Sequence, residues 1–305
     1  MRNLPFGRLS FCVWVALFAG CGGALSPEPS GPPSGAFASA VVDGSAKGQA
    51  LLYISDLGAN SVDVFTYPQG DPVTKLTGFG SVAGLCSDKA GDVFVVDETG
   101  TVDVYAHGGT TPIRKLGGAG TPYGCSVDPV TGNLGVTQLS SSENAFAVYP
   151  KAKGKPKIFV DTQVDVTWFC GYDAKGNLFA DAWDHYGRVM LVELTKGGKT
   201  VKNLKLGEKF QNTGGTMWDG SYVAIANRGA GVIYRSDETG NLVHTVKLKN
   251  GPDIEQFWVD GSTLIGPNEA SPGSVGLWHY PGGGAPFKTL KGFYTPFGAT
   301  VSVTR

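Results

Sequence analysis

Apolar and polar positions alternate along most of the chain in runs of about five or six residues. That period of two predicts half-buried β-strands, not helices. The runs recur in a fixed order from residue 50 onward. A first run ends in an apolar residue and an aspartate: GLCSDKAG (84–91), GCSVDPVTG (124–132), FCGYDAKG (169–176), TMWDGS (216–221) and FWVDGS (257–262). Its aspartates, Asp88, Asp128, Asp173, Asp219 and Asp260, are spaced by 40, 45, 46 and 41 residues. A second run follows each time (DVFVVD, NLGVTQ, NLFAD, YVAIAN, TLIGPN), then a turn, a third run and a fourth. Gly, Asn, Asp and Pro separate them, which are the residues that turns require. Four strands in about 43 residues is the unit of a β-propeller blade.

The ends of the repeat set the count. Residues 51–78 hold a second, third and fourth strand (LLYISD, VDVFTYPQG, PVTKLTG) without a first. The last segment, TPFGATVSVTR (295–305), matches TPYGCSVD (121–128) and has nothing after it. Placed as the innermost strand of the first blade, it closes the ring and removes an open sheet edge. The expectation is an all-β, six-bladed propeller over residues 47–305, with four-stranded antiparallel blades and the first blade closed by the C-terminal strand. The alternative has AVVDGS (40–45) supply that strand, leaving the C-terminal one as an extra edge.

Composition narrows the class further. Of 305 residues, 46 are glycine, twice the usual share, while only 17% are charged and 11% are aromatic. The aromatics argue against disorder, the scarcity of charge against a coiled coil, and the absence of a three-residue glycine period against collagen. The formal net charge is −1, and no basic face follows from it, so nucleic acid is not an expected partner.

The N-terminus reads as a targeting segment. Arg2 and Arg8 precede an apolar stretch at 9–19, too short to span a bilayer but the length of a signal-peptide core. Phe18-Ala19-Gly20-Cys21 resembles a bacterial lipobox, with Phe18 where Leu is usual. The expected organisation is a signal peptide (1–20), then a lipidated Cys21 with a flexible Gly/Pro/Ser tether (21–46), then the propeller. The protein is then exported, either as a membrane-anchored lipoprotein of the cell envelope or secreted. The alternative is an ordinary secretory signal with Cys21 incidental. No charged or amphipathic run adds a second membrane signal, so membrane contact is expected only through the lipid, and the chain is expected to be a monomer.

Asp97-Glu98-Thr99-Gly100 with Val102-Asp103-Val104-Tyr105, and Ser55-Asp56 with Asn60-Ser61-Val62-Asp63-Val64-Phe65, resemble the strand–turn–strand signature of NHL and gluconolactonase-like propellers. Residues 50–303 more closely resemble a family of secreted bacterial propeller lipoproteins to which no activity is attached. The wider resemblance implies one alternative function, a metal-dependent lactonase or hydrolase (or a propeller lyase). Its divalent cation, such as calcium, is held by acidic and Asn side chains from several blades. The sequence itself requires no cofactor, and its catalytic residues are unknown. Ser-His-Asp order, a Walker loop and a dinucleotide fingerprint are missing. The leading expectation is therefore a non-catalytic binding or scaffold propeller for a protein or small-molecule ligand.

The face carrying the links into the innermost strands is where a ligand site is expected. Its candidates are Tyr123, Asp165, Trp168, Asp184, His185, Asn212, Asp253, Glu255 and Tyr294, of which Asp165, Asn212, Asp253 and Glu255 have the oxygens a cation needs. His107, His244 and His279 read as surface residues of outer strands. The repeated aspartates read as turn holders. Cys86 projects to the opposite sheet face from Cys125 and Cys170. Cys86 and Cys125 therefore either face each other across two blades as a disulfide, or point apart and leave three buried thiols.

Overall fold

The computed structural model describes residues 48–139, 144–206 and 210–304. Six antiparallel four-stranded sheets are arranged as the blades of a propeller. Blade 1 is β1 (Leu51–Asp56), β2 (Ser61–Thr66) and β3 (Pro72–Leu76), with β24 (Pro296–Ser302) innermost. Blade 2 is β4 (Val82–Ser87), β5 (Val93–Asp97), β6 (Thr101–Tyr105) and β7 (Arg114–Gly117). Blade 3 runs β8 (Pro122–Val127), β9 (Leu134–Gln138), β10 (Asn144–Tyr149) and β11 (Lys157–Val160). Blade 4 runs β12 (Val164–Tyr172), β13 (Leu178–Asp184), β14 (Val189–Leu194) and β15 (Val201–Leu204). Blade 5 is β16 (Thr213–Trp218), β17 (Val223–Asn227), β18 (Val232–Ser236) and β19 (Leu242–Lys247). Blade 6 is β20 (Trp258–Asp260), β21 (Thr263–Asn268), β22 (Ser274–His279) and β23 (Gly283–Lys291).

Closure follows the first of the two sequence readings. β24 pairs antiparallel with β1, from Leu51 opposite Ser302 to Asp56 opposite Pro296. The AVVDGS alternative, the signal segment, Cys21 and the tether lie outside the described residues. Alternating side chains send apolar residues to both faces of each sheet, and the core consists of layers between neighbouring blades. Leu52, Ile54, Ala299 and Val301 of blade 1 pack on Ile265, Val275 and Leu277 of blade 6. Leu51, Tyr53 and Val64 on the other face of the same sheet pack on Leu85, Val93 and Val95 of blade 2.

Near the axis the innermost strands meet backbone to backbone, which only glycine permits. A Cβ on Gly171 in β12 would lie 2.4 Å from Met217 Cα of β16, and one on Gly124 in β8 would lie 2.8 Å from Trp168 O. Part of the glycine excess therefore serves close approach at the axis, beyond the turns. Gln256 ties the axis across blades. Its amide accepts from Leu85 N (2.6 Å) and donates to Leu85 O (2.7 Å), while its own backbone N–H donates to Phe297 O (3.0 Å).

The repeated polar residues hold the blades' ends. Asp88, Asp128, Asp173 and Asp219 each accept the backbone N–H two residues on, at 2.8–2.9 Å. At the opposite end, the last residue of the second strand clamps the segment entering the innermost strand of its own blade. Asp56 accepts from Tyr294 N and Thr295 N, Asp97 from Gly80 N and Ser81 N, Asn227 from Gln211 N and Asn268 from Asp253 N. Asp181 is the blade-4 member and accepts deeper, from Phe169 N.

Cys86 and Cys125 form a disulfide between blades 2 and 3, with Cα atoms 5.7 Å apart, and Cys170 is a buried free thiol. One histidine departs from expectation. His107 follows β6 and is half-buried, with Nδ1 2.7 Å from Ser302 Oγ and Nε2 3.1 Å from Gln49 O, so it joins blade 2 to the closing strand.

Candidate functional site

The face where the innermost strands begin, here the upper face, carries every candidate chosen from the sequence. The structure sorts them into separate groups. At the centre Tyr123 of β8 is buried among rings from two other blades. Its centroid lies 5.2 Å from those of Trp168 and Phe169 and 5.3 Å from that of Phe297, and Trp168 lies 5.2 Å from Trp183. These contacts, edge-on except for the tilted Tyr123–Phe169 pair, each add about 1 kcal/mol beyond burial and close the mouth of the axis with an aromatic plug.

Beside it stands a charged cluster. Arg228, after β17, faces three carboxylates: Asp253 at 2.9 Å, Glu269 at 3.0 Å, and Glu255 in direct contact. Glu255 is only 1% exposed. Burial raises its carboxyl to about 9, the crowding of Glu269 and Asp253 adds to this, and Arg228 only partly offsets it. One guanidinium serves three carboxylates, and burial with crowding pushes the deepest of them, Glu255, upward. Burial also raises the Tyr123 phenol, and Glu255, Glu98 and Glu269 add to the shift.

The other candidates do not join this centre. On blade 4, His185 Nδ1 is 3.7 Å from Asp165, and its Nε2 is 2.8 Å from Thr162 O. Asp184 is committed to its own turn, accepting from Tyr186 N and Arg188 N and pairing with the Arg188 side chain at 2.6 Å. Those contacts lower its pKa, against a desolvation that acts the other way. The Asn212 side chain accepts from Thr213 N (3.0 Å). Tyr294 is 68% exposed on the blade-1 entry segment.

The four oxygen-bearing candidates therefore do not make a cation site. Two converge on a guanidinium, one pairs with an imidazole, and one serves its own loop. Among the described residues no group of three or more His, Cys, Asp or Glu is placed to hold a metal ion. The residues do not fit the calcium that the wider resemblance implies.

Arg228, Glu269 and Glu98 were not among the sequence candidates, although a signal existed. Each directly follows the clamp residue of its blade: Asp97-Glu98, Asn227-Arg228 and Asn268-Glu269. Blades 1, 3 and 4 have Leu57, Leu139 and Ala182 in that column. Charge in an otherwise apolar column of the repeat marks the mouth.

The cluster predicts how stability depends on pH. Glu255 at about 9 and fully buried Asp181, raised by burial to about 7, both bind protons more tightly in the folded chain than in the unfolded one. Their contribution is complete below about pH 4, near the unfolded values, and is lost as pH rises through 7 and then 9. Thermal melts should show a lower Tm at pH 8.5 than at pH 5.5, and Glu255→Gln should narrow the gap. A wild-type Tm that rises with pH over this window contradicts the assignment.

Similarity to solved structures agrees with the fold. No protein-family model and no curated protein sequence matches the chain. A nidogen/laminin complex contains a chain similar over 84% of this one and 99% of its own, with TM-score 0.68 and 14% identity. A protein of unknown function from Bacteroides caccae is similar over the same shares, with TM-score 0.64 and 14% identity. Identities this low carry the fold alone, a propeller of six four-stranded blades.

Proposed function

We propose that the protein is an exported, lipid-anchored binding module without catalytic activity, which engages a protein ligand through its upper face. One observation carries this reading: the carboxylates at the mouth are committed to Arg228, and among the described residues no open oxygen set remains for a Lewis-acid centre. Exposed aromatics rim the same face, Tyr186 at 83% and Tyr294 at 68%. Tyrosines of this kind anchor protein interfaces, since they offer large contact area with few rotatable bonds. The nidogen/laminin structure is a protein–protein complex, which supports a protein as the ligand class.

Metal analysis of the purified chain, with a thermal-shift titration in calcium, tests the non-catalytic part. The expected result is no stoichiometric divalent ion and no resolvable rise in Tm. A bound stoichiometric ion with a strong calcium shift overturns the reading in favour of a metal-dependent lactonase. The anchor is tested separately. A palmitate analogue should label the wild type, and Cys21→Ser should abolish the label and let a high-salt wash release the protein from membranes. An unlabelled and fully soluble wild type removes the anchor.

A further inference from the structure

The opposite, lower face brings the lysine-rich run KAKGKPK (151–157) together with lysines of the next blade. A groove of about 630 Å³ lies there between blades 3 and 4, lined by Lys157, Lys196 and Lys199 over an apolar floor of Val148, Phe159 and Leu194. The turn from β10 to β11, whose Pro150 also lines the groove, adds exposed Lys151, Lys153 and Lys155. Among the described residues none of these six lysines has a carboxylate within ion-pair distance, whereas Lys75, Lys115, Lys175 and Lys202 elsewhere do. Asp128, the groove's one acid, is taken up by Val130 N and the Thr131 hydroxyl.

The groove is continuous, through Asp128 and Thr131, with a second one at the lower mouth of the axis, lined by Pro129, Val130, Trp258 and Val303. Val130 is 52% exposed and Val303 43%. The first described residue also lies here, where Gly48 N donates to Thr304 Oγ1.

We propose that the lower face docks on an anionic phospholipid surface, with the six lysines at the headgroups and Val130, Val303 and the Trp258 edge toward the acyl boundary. Basic charge beside exposed apolar side chains complements such a surface better than it complements a purely acidic peptide. A lipidated Cys21 would hold the chain at a bilayer, and the basic patch would add attraction to anionic headgroups. Docking this way turns the upper face outward. The orientation argument rests on the Cys21 anchor, while the charge argument does not.

The test uses the full chain carrying Cys21→Ser, so that lipidation plays no part. It is sedimented with vesicles of phosphatidylcholine alone or equimolar with phosphatidylglycerol. Phosphatidylglycerol should raise binding, and salt should abolish the gain. Lys151→Gln/Lys153→Gln and Lys196→Gln/Lys199→Gln should each weaken it about 25-fold, at roughly fivefold per lysine. Lys205→Gln/Lys249→Gln, in the links into β16 and β20 and away from the groove, should leave it unchanged. All variants share residues 1–47, so differences between them report the folded face alone, and unchanged thermal melts show that it remains folded. Equal binding to both vesicles, or indifference to the lower-face pairs, overturns the proposal. So does preferential binding to soluble polyglutamate, which points to an acidic protein instead. Failure here with Cys21 labelled in cells removes only this proposal.

Discussion

A chain ending at Gly292 will not fold cooperatively. The deletion removes β24, whose seven residues are all buried, and with it the partner of β1 along six positions. Burial of Phe297 and Val301 alone contributes roughly 1.5–3 kcal/mol each. The lost ladder adds about 1 kcal/mol per hydrogen bond. Asp56 loses Tyr294 N and Thr295 N, and Gln256 N loses Phe297 O. Together these match the roughly 5–15 kcal/mol that holds a whole domain. The exposed edge of β1, with Leu52 and Ile54, also invites aggregation. Calorimetry should show no cooperative transition, and an unchanged Tm rules out ring closure by this strand.

The disulfide carries the second large effect. Cys86 and Cys125 are 39 residues apart, and closing a loop of that length restricts the unfolded chain by about 4 kcal/mol in the loop-entropy account. For a domain of this size Cys86→Ser/Cys125→Ser should lower Tm by roughly 8–16 °C. Cys170→Ser should not reproduce that loss, because Cys170 closes no loop. Its thiol is fully buried, burial pushes its pKa upward, and maleimide should leave it unmodified in the folded protein. Non-reducing peptide mapping should recover the Cys86–Cys125 pair. Recovery of both as free thiols under oxidising conditions refutes the assignment.

The candidate site was legible only in part. Tyr123, Trp168, Asp253 and Glu255 were recognised as belonging to one face, because strand order determines which links share an end of the ring. Their grouping was not visible. Asp165 and His185 meet although 20 residues apart, whereas Asp253 and Glu255 meet Arg228 from the neighbouring blade. Strand parity places Cys86 on the opposite sheet face from Cys125 without deciding whether the two face each other. That depended on which side of each sheet meets its neighbour.

By itself the sequence determined the blade: its strands, turns and aspartate clamps, with two candidates for the strand that completes the first sheet. These follow from alternation and turn chemistry, which act over a few residues and repeat about every 43. The tertiary structure alone decided what converges across blades. Packing of neighbouring blades brought Arg228 among three carboxylates, joined Cys86 to Cys125, and set the lysines at 151–157 and at 196–199 around one groove. Convergence of that kind depends on distances set by packing around the axis, and no local pattern encodes them.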